Sequence, residues 1–216
     1  MMEALDRLIP TPRLLERDYV SLGASPEHVW EVVRHGDLAR SMLVRALFAV
    51  RTVPSHLRGM GAGHAEPLQL GIDMLRSTPQ HPGFQILYER APCELTVGAI
   101  GKVWHLDIPF VHVADPDAYA DFSEPDYVKV AWAVQIEPLG ACDSRLCIEV
   151  RVDATDDAAW RKFQLYFGLI GPGSRFIRHS LLRSLARELG TPGHPQTLRP
   201  MRAADGADAE RAPRRS

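Results

Sequence analysis

Two stretches of strict alternation stand side by side in the second half of the chain. In the first, Val128, Val130, Trp132, Val134 and Ile136 alternate with Lys129, Ala131, Ala133 and Gln135. In the second, Leu146, Ile148, Val150 and Val152 alternate with Cys147, Glu149 and Arg151. A period of two over this length predicts β-strands with one apolar face. Pro138, Gly140 and Ser144 lie between them and predict a hairpin turn. The two strands then present matching apolar faces, as in an antiparallel sheet covered on one side.

The pattern changes period after Val152. Asp153 to Asp156 form a turn, with Asp156 as N-cap and Asp157 as a favourable charge at a helix start. Trp160, Phe163, Phe167 and Ile170 then recur on one arc of a helix, with Ala159 and Tyr166 beside them. Ile177, Leu181, Leu182, Leu185 and Leu189 continue as a second stripe, and Gly190 with Pro192 marks the stop. Between the stripes lies Gly171-Pro172-Gly173. Proline lacks the N–H that a helix interior needs, and its ring clashes with the carbonyl four residues back. These three residues predict a bend, with Pro172 as an early residue of a second helical segment packed near the first helices of the chain.

The remaining elements are read in order. Residues 1–13 read as an N-terminal arm with Pro10 and Pro12, and Leu14 to Leu22 as a first strand. Ser25-Pro26-Glu27 is a helix start whose apolar face is Val29, Trp30 and Val33. Asp37 can cap a second short helix over 38–51. Residues 54–83, rich in Gly, Pro and His, form a long connection with one short helix around 68–75, either a lid or an irregular surface loop. Phe84 to Arg90 and Glu94 to Leu106 predict consecutive antiparallel strands, and Gly98 and Gly101 suggest a bulge or a close backbone approach. Residues 191–216 have almost no apolar anchor and read as a disordered tail. The resulting class is α+β, a curved antiparallel sheet wrapped around a long C-terminal helix.

Composition narrows the function classes. The chain has 216 residues, 45% hydrophobic and 24% charged, which suits one domain spanning 14–190 with a substantial core. A net charge of −2 supplies no basic field for nucleic acid. Cys93, Cys142 and Cys147 lack a C-x-x-C spacing and suit a reducing, cytoplasmic setting. The first twelve residues carry Glu3, Asp6 and Arg7 and no apolar run, unlike a signal peptide. The most apolar run, Met42 to Val50, is interrupted by Arg45 and is too short to span a bilayer, so no integral membrane association is expected.

Several of these residues carry a resemblance. Arg151, Thr155-Asp156, Phe163, Tyr166-Phe167, Ile170, Pro172-Gly173-Ser174 and Arg178 follow the C-terminal pattern of an uncharacterised bacterial branch of the SRPBCC superfamily. Gly83-Phe84-x-Ile86-Leu87, and then Glu94-Leu95 with Gly98, Gly101 and Trp104, resemble an earlier part of the same pattern. The resemblance spans roughly 14–189. It implies the helix-grip fold of START-like and Bet v 1-like proteins, with two short helices after the first strand. It also implies a cavity between sheet and helix for a small hydrophobic or amphipathic molecule, lipid- or polyketide-like, in transport, sequestration or sensing. The lining expected here is Tyr88, Trp104, Trp132, Phe163, Tyr166 and Phe167, with Arg178 close by. Tyr166 and Trp104 could orient a ligand through O–H and N–H groups.

Candidate chemistry changes this picture little. Arg178 lies near the apolar arc and needs either a carboxylate partner or the acid group of a ligand. Glu149 and Arg151 share one side of their strand, as a solvated face or, with enough curvature, as a polar contact in a cavity. His105, Asp107 and His112 are the densest group of potential metal ligands, but their spacing matches no established motif, and neither metal nor cofactor is expected. No G-x-S-x-G elbow occurs. Gly59, Gly61 and Gly63 superficially resemble a phosphate loop but lack its Lys-Ser/Thr. Some superfamily members resemble aromatase/cyclases and dehydratases; for such an activity the acid–base candidates are His105, Tyr166 and Glu149. An interaction module with a solid interior is the third class.

Overall fold

The structure is a computed structural model in which residues 3–35, 77–105, 107–140, 142–190 and 196–198 are described. The helix expected over 38–51, the connection through 76 with its glycine loop, and most of the 191–216 tail lie outside the described residues.

The two alternating stretches form the centre of the sheet. β5 (Val128–Pro138) and β6 (Ser144–Ala154) pair antiparallel from Val128↔Ala154 to Pro138↔Ser144. Their alternation places Val130 opposite Val152, Trp132 opposite Val150, Val134 opposite Ile148 and Ile136 opposite Leu146 on one face. Outward from this pair run β3 (Glu94–Gly101) and β2 (Gln85–Arg90) on one side. On the other side lie β1 (Leu14–Leu22) and β7 (Gln196–Leu198), and β4 (Phe110–Val111) pairs with the end of β3. All pairings are antiparallel. This is an α+β, helix-grip architecture, a curved antiparallel sheet packed against the long helix α4 (Asp157–Glu188). Within the stretch expected to be a disordered tail, Thr197 opposes Asp18. β1 is otherwise the edge of the sheet, and over Arg17–Tyr19 this addition pairs its outward backbone.

Helix α2 (Pro26–His35) starts where Ser25 and Pro26 predict, and it buries Val29, Trp30 and Val33. At α4 the Asp156 carboxylate accepts a hydrogen bond from the Ala159 N–H at 2.7 Å. That bond, followed by one from Asp126, holds the Asp156 carboxyl below its usual range. Gly190, at φ +77°, follows the helix in the left-handed region that favours glycine.

The expected division of α4 into two segments is corrected. The helix runs without interruption through Pro172. Its two halves do pack differently: Ala159 and Phe163 sit against Val128, Val152 and Ala154, while Leu181, Leu182 and Leu185 join Val29, Trp30 and Val33 of α2. Burial on both sides of Pro172 outweighs the ~3 kcal/mol proline penalty. Pro172 and Gly168 are both exposed, so water can reach the carbonyl that proline leaves without a donor. Pro172→Ala is therefore expected to raise stability by up to about 3 kcal/mol. A higher urea midpoint with unchanged slope would be the reading. A lower midpoint would mean that the packing of the two halves depends on the proline.

The sheet is covered on its second face as well, which corrects the one-sided expectation. Residues 3–8 form helix α1 (Glu3–Leu8) rather than part of an arm, and Pro116–Asp121 form α3. Leu5, Leu8 and Ile9 pack with Tyr119, Leu87 and Ile100 over Ala131, Ala133 and Cys147. The two alanines leave room for this layer. Glu149 and Arg151 lie beneath it, at 0% and 5% exposure, so they belong neither to a solvated face nor to the cavity side. Arg151 donates to Glu149 at 2.6 Å, to Asp6 at 2.7 Å and to the Ile9 carbonyl at 3.0 Å, and Arg17 also pairs with Glu149.

Candidate functional site

The face of the sheet toward α4 is not filled. Val130, Trp132, Ile148, Val150 and Val152 form the floor of a cavity of about 140 Å³. Phe163, Tyr166, Phe167, Ile170, Ser174, Ile177, Arg178 and Leu181 of α4 form its roof. Phe84, Val103, Ile108 and Phe110 close the side, with the rings of Phe84 and Phe110 edge to face at 5.7 Å. The roof aromatics are mutually ordered: Phe163 stacks on Phe167 at 5.3 Å and on Trp160 at 5.4 Å. The helical period that places Phe163, Phe167, Ile170 and Ser174 on one arc also turns that arc to the sheet.

Of the expected lining, Trp132, Phe163, Tyr166, Phe167 and Arg178 meet at this cavity. Tyr88 does not. A bulge between Ile86 and Tyr88 pairs Ile86 with Val97 but Tyr88 with Thr96, so Tyr88 sits on the opposite face and is 39% exposed. Trp104 is also outside the lining. β3 ends at Gly101, and Trp104 lies in the following turn, where the Lys162 ammonium stands 5.4 Å from its ring. The sequence reading missed Phe84, Val103, Ile108 and Phe110. Only their apolar character marks them, because they come from loop and edge positions far from α4 in sequence.

Four side chains with polar groups line the cavity: Trp132, Tyr166, Ser174 and Arg178. Burial pushes the Tyr166 phenol up to about 12, so it stays protonated at neutral pH. The Trp132 indole, at 4% exposure, has a buried Nε1–H with no hydrogen-bond partner among the described residues. Each guanidinium nitrogen of Arg178 engages a protein group. Its Nε donates to Asp18 at 2.8 Å, its Nη1 to Ser174 Oγ at 3.1 Å, and its Nη2 pairs with Glu16. Arg175 donates to Glu16 at 2.6 Å, and His179 Nε2 lies 3.1 Å from Asp18. Glu16 and Asp18 are in phase with Val20 and Leu22 on β1, which aims both carboxylates at α4. Two buried carboxylates thus face two guanidiniums, and the carboxylate alternative for Arg178 is the one the structure contains.

The remaining chemical candidates do not converge. His105 and Asp107 are exposed, and His112 Nδ1 lies 3.0 Å from Ser77 Oγ. Among the described residues no group of three or more His, Cys, Asp and Glu side chains could hold a metal ion. Cys93, Cys142 and Cys147 are all free thiols, and burial raises that of Cys147 to about 12. No helix among the described residues is long and apolar enough to cross a membrane.

No protein-family model matches the chain, and no curated protein matches its sequence. Solved structures of similar course include a conserved protein from Geobacillus kaustophilus, with a TM-score of 0.38 and 10% identity over 85% of this chain and 99% of that one. A protein from Arthrobacter aurescens has a TM-score of 0.36 and 13% identity, covering 83% of this chain and 89% of its own. A point mutant of Thalictrum flavum norcoclaurine synthase, in complex with a transition-state analogue, has a TM-score of 0.32 and 12% identity over 82% and 96% of the two chains.

Proposed function

We propose that this protein binds a small, neutral, largely apolar molecule in the cavity between the sheet and α4, in transport, sequestration or sensing. The observation that carries the reading is the apolar cavity of about 140 Å³. That is close to the ~150 Å³ of an apolar cavity known to admit benzene. It is smaller than the roughly 300–1,000 Å³ of pockets that take drug-sized ligands. The ligand is therefore of single-ring size. Its neutrality follows from Arg178, whose charge already meets Glu16 and Asp18. A hydrogen-bond acceptor on the ligand would satisfy the orphan Trp132 Nε1–H, since a buried unpaired donor costs about 1–3 kcal/mol. The resemblance to the SRPBCC superfamily supports a ligand in the same place.

A cyclase- or dehydratase-like reaction is favoured less. It needs an acid–base residue beside a second polar group in the cavity. Of His105, Tyr166 and Glu149, Tyr166 alone lines the cavity, and its raised pKa keeps it protonated, a hydrogen-bond donor rather than a base.

Acetophenone and ethylbenzene, one ring each with and without a carbonyl, provide the test by ligand-observed NMR. Both are expected to bind. Trp132→Phe should weaken acetophenone about tenfold, the equivalent of one net hydrogen bond, and leave ethylbenzene unchanged. Val150→Phe should fill the floor and exclude both. Binding of neither molecule to the wild type, or undiminished binding to Val150→Phe, would reject the cavity as the site.

A further inference from the structure

The side of α4 turned away from the cavity is unusual in two ways. Leu165, Leu169 and Phe176 are 82%, 68% and 69% exposed, the highest exposures among the large hydrophobic side chains of the described residues. With Pro172 they recur at i, i+4, i+7 and i+11, a straight apolar stripe about 16 Å long at 1.5 Å per residue. The second feature is charge. From Ala158 to Arg187 the helix carries no Asp or Glu, although the whole chain holds 27 acidic against 25 Lys and Arg residues. Arg161 precedes the stripe on the same side of the helix, and Arg183 and Arg187 follow it. All three are exposed, and none has an ion-pair partner among the described residues.

We propose that this outward face of α4 docks on an anionic lipid bilayer, with Leu165, Leu169 and Phe176 in the interface and Arg161, Arg183 and Arg187 at the headgroups. An apolar stripe bracketed by cations is the pattern of helices that lie in the plane of a membrane surface. The charges keep α4 on the surface, and it lacks the length of apolar sequence needed to cross. Charge complementarity selects the bilayer over a second copy of this chain. An isologous antiparallel pairing about the centre of the stripe would bring Arg161 of one copy beside Arg183 of the other, which is repulsive. The docked face is the back of the helix whose Phe163, Tyr166 and Phe167 roof the cavity. An apolar ligand would therefore enter or leave one helix away from the phase in which it dissolves. The docking itself does not require the cavity to be occupied.

Co-sedimentation of the full chain with phosphatidylcholine vesicles containing phosphatidylglycerol tests the proposal. Wild-type protein is expected to bind these vesicles, and less tightly at high salt. Arg161→Gln/Arg183→Gln/Arg187→Gln should weaken binding about a hundredfold and flatten the salt dependence. Leu165→Gln/Leu169→Gln/Phe176→Gln should weaken it about tenfold or more. Both triple variants change exposed positions, so their melting temperatures should match the wild type, which separates lost docking from lost folding. Absence of wild-type binding, or wild-type binding by both variants, would overturn the proposal. So would a dimer in sedimentation velocity that the apolar triple variant dissolves. A fluorophore at position 169 already shielded from iodide without vesicles would overturn it too, since a second copy or residues 36–76 of the chain would then hold the stripe.

Discussion

Deletion of residues 1–9 is expected to unfold the domain. Leu5, Leu8 and Ile9 are 0%, 3% and 1% exposed, and they cover the outer face of the central strands. Burying side chains of this size contributes about 1.5–3 kcal/mol each, and a compact unfolded state reduces such sums by roughly 10–40%. The three together supply about 3–8 kcal/mol, comparable with the entire stability of many domains at about 5–15 kcal/mol. The deletion also removes the Asp6 carboxylate and the Ile9 carbonyl that accept hydrogen bonds from Arg151. Arg151 and Glu149 would then lie beneath an opened layer with an incomplete set of partners. Denaturant titration with dye binding gives the reading: a lost or strongly lowered midpoint and exposed apolar surface. A truncated protein with the wild-type midpoint would show that α1 rests on the sheet without stabilising it. Leu5→Ala is the milder version, expected to cost about 2–5 kcal/mol as a large-to-small core change.

That helix also marks where the sequence stops being informative. Six residues cannot hold a helix in isolation, because nucleation costs more than so few turns return. α1 exists because the outer face of β5 and β6 needs cover, a condition set by residues more than a hundred positions away. A signal was present in Ala131 and Ala133, which are small where a solvated face would carry polar side chains. β5, β6 and the apolar arc of α4 were legible because period and burial agree over many residues. Trp132, Phe163, Tyr166 and Phe167 followed directly from that phase. Tyr88 failed because one bulge residue reverses the face of everything after it, and nothing local in Gln85–Arg90 announces the bulge. The break at Pro172 failed for the opposite reason. The local penalty at Pro172 is real, but both halves of the helix are held by core packing, which outweighs it. The partners of Arg178 were within reach, since Glu16 and Asp18 share the phase of Val20 and Leu22, and carboxylates on the core face of a strand require cations opposite.

Arg178→Met is expected to destabilise the protein by about 3–5 kcal/mol, the usual consequence of removing one member of a buried ion pair. Glu16 and Asp18 are 3% and 0% exposed, and Arg178 contacts both. Arg175 and His179 stay in place, but of the two carboxylates Arg175 reaches Glu16 only, which leaves Asp18 facing His179. Methionine keeps much of the volume and apolar stem, so the loss reports charge rather than packing. Adding Glu16→Gln and Asp18→Asn removes the stranded charges, and the triple variant should recover a large part of the deficit. A thermodynamic cycle over the single and combined variants isolates the coupling. The same variant separates the two roles open to an arginine on a cavity wall. If Arg178 holds β1 to α4, stability falls and binding of a neutral ring by the folded fraction is retained. If it instead held the acid group of a ligand, Arg178→Met would abolish binding of benzoate while leaving the denaturation midpoint near the wild type. The second outcome would overturn both the ion-pair reading and the neutrality assigned to the ligand.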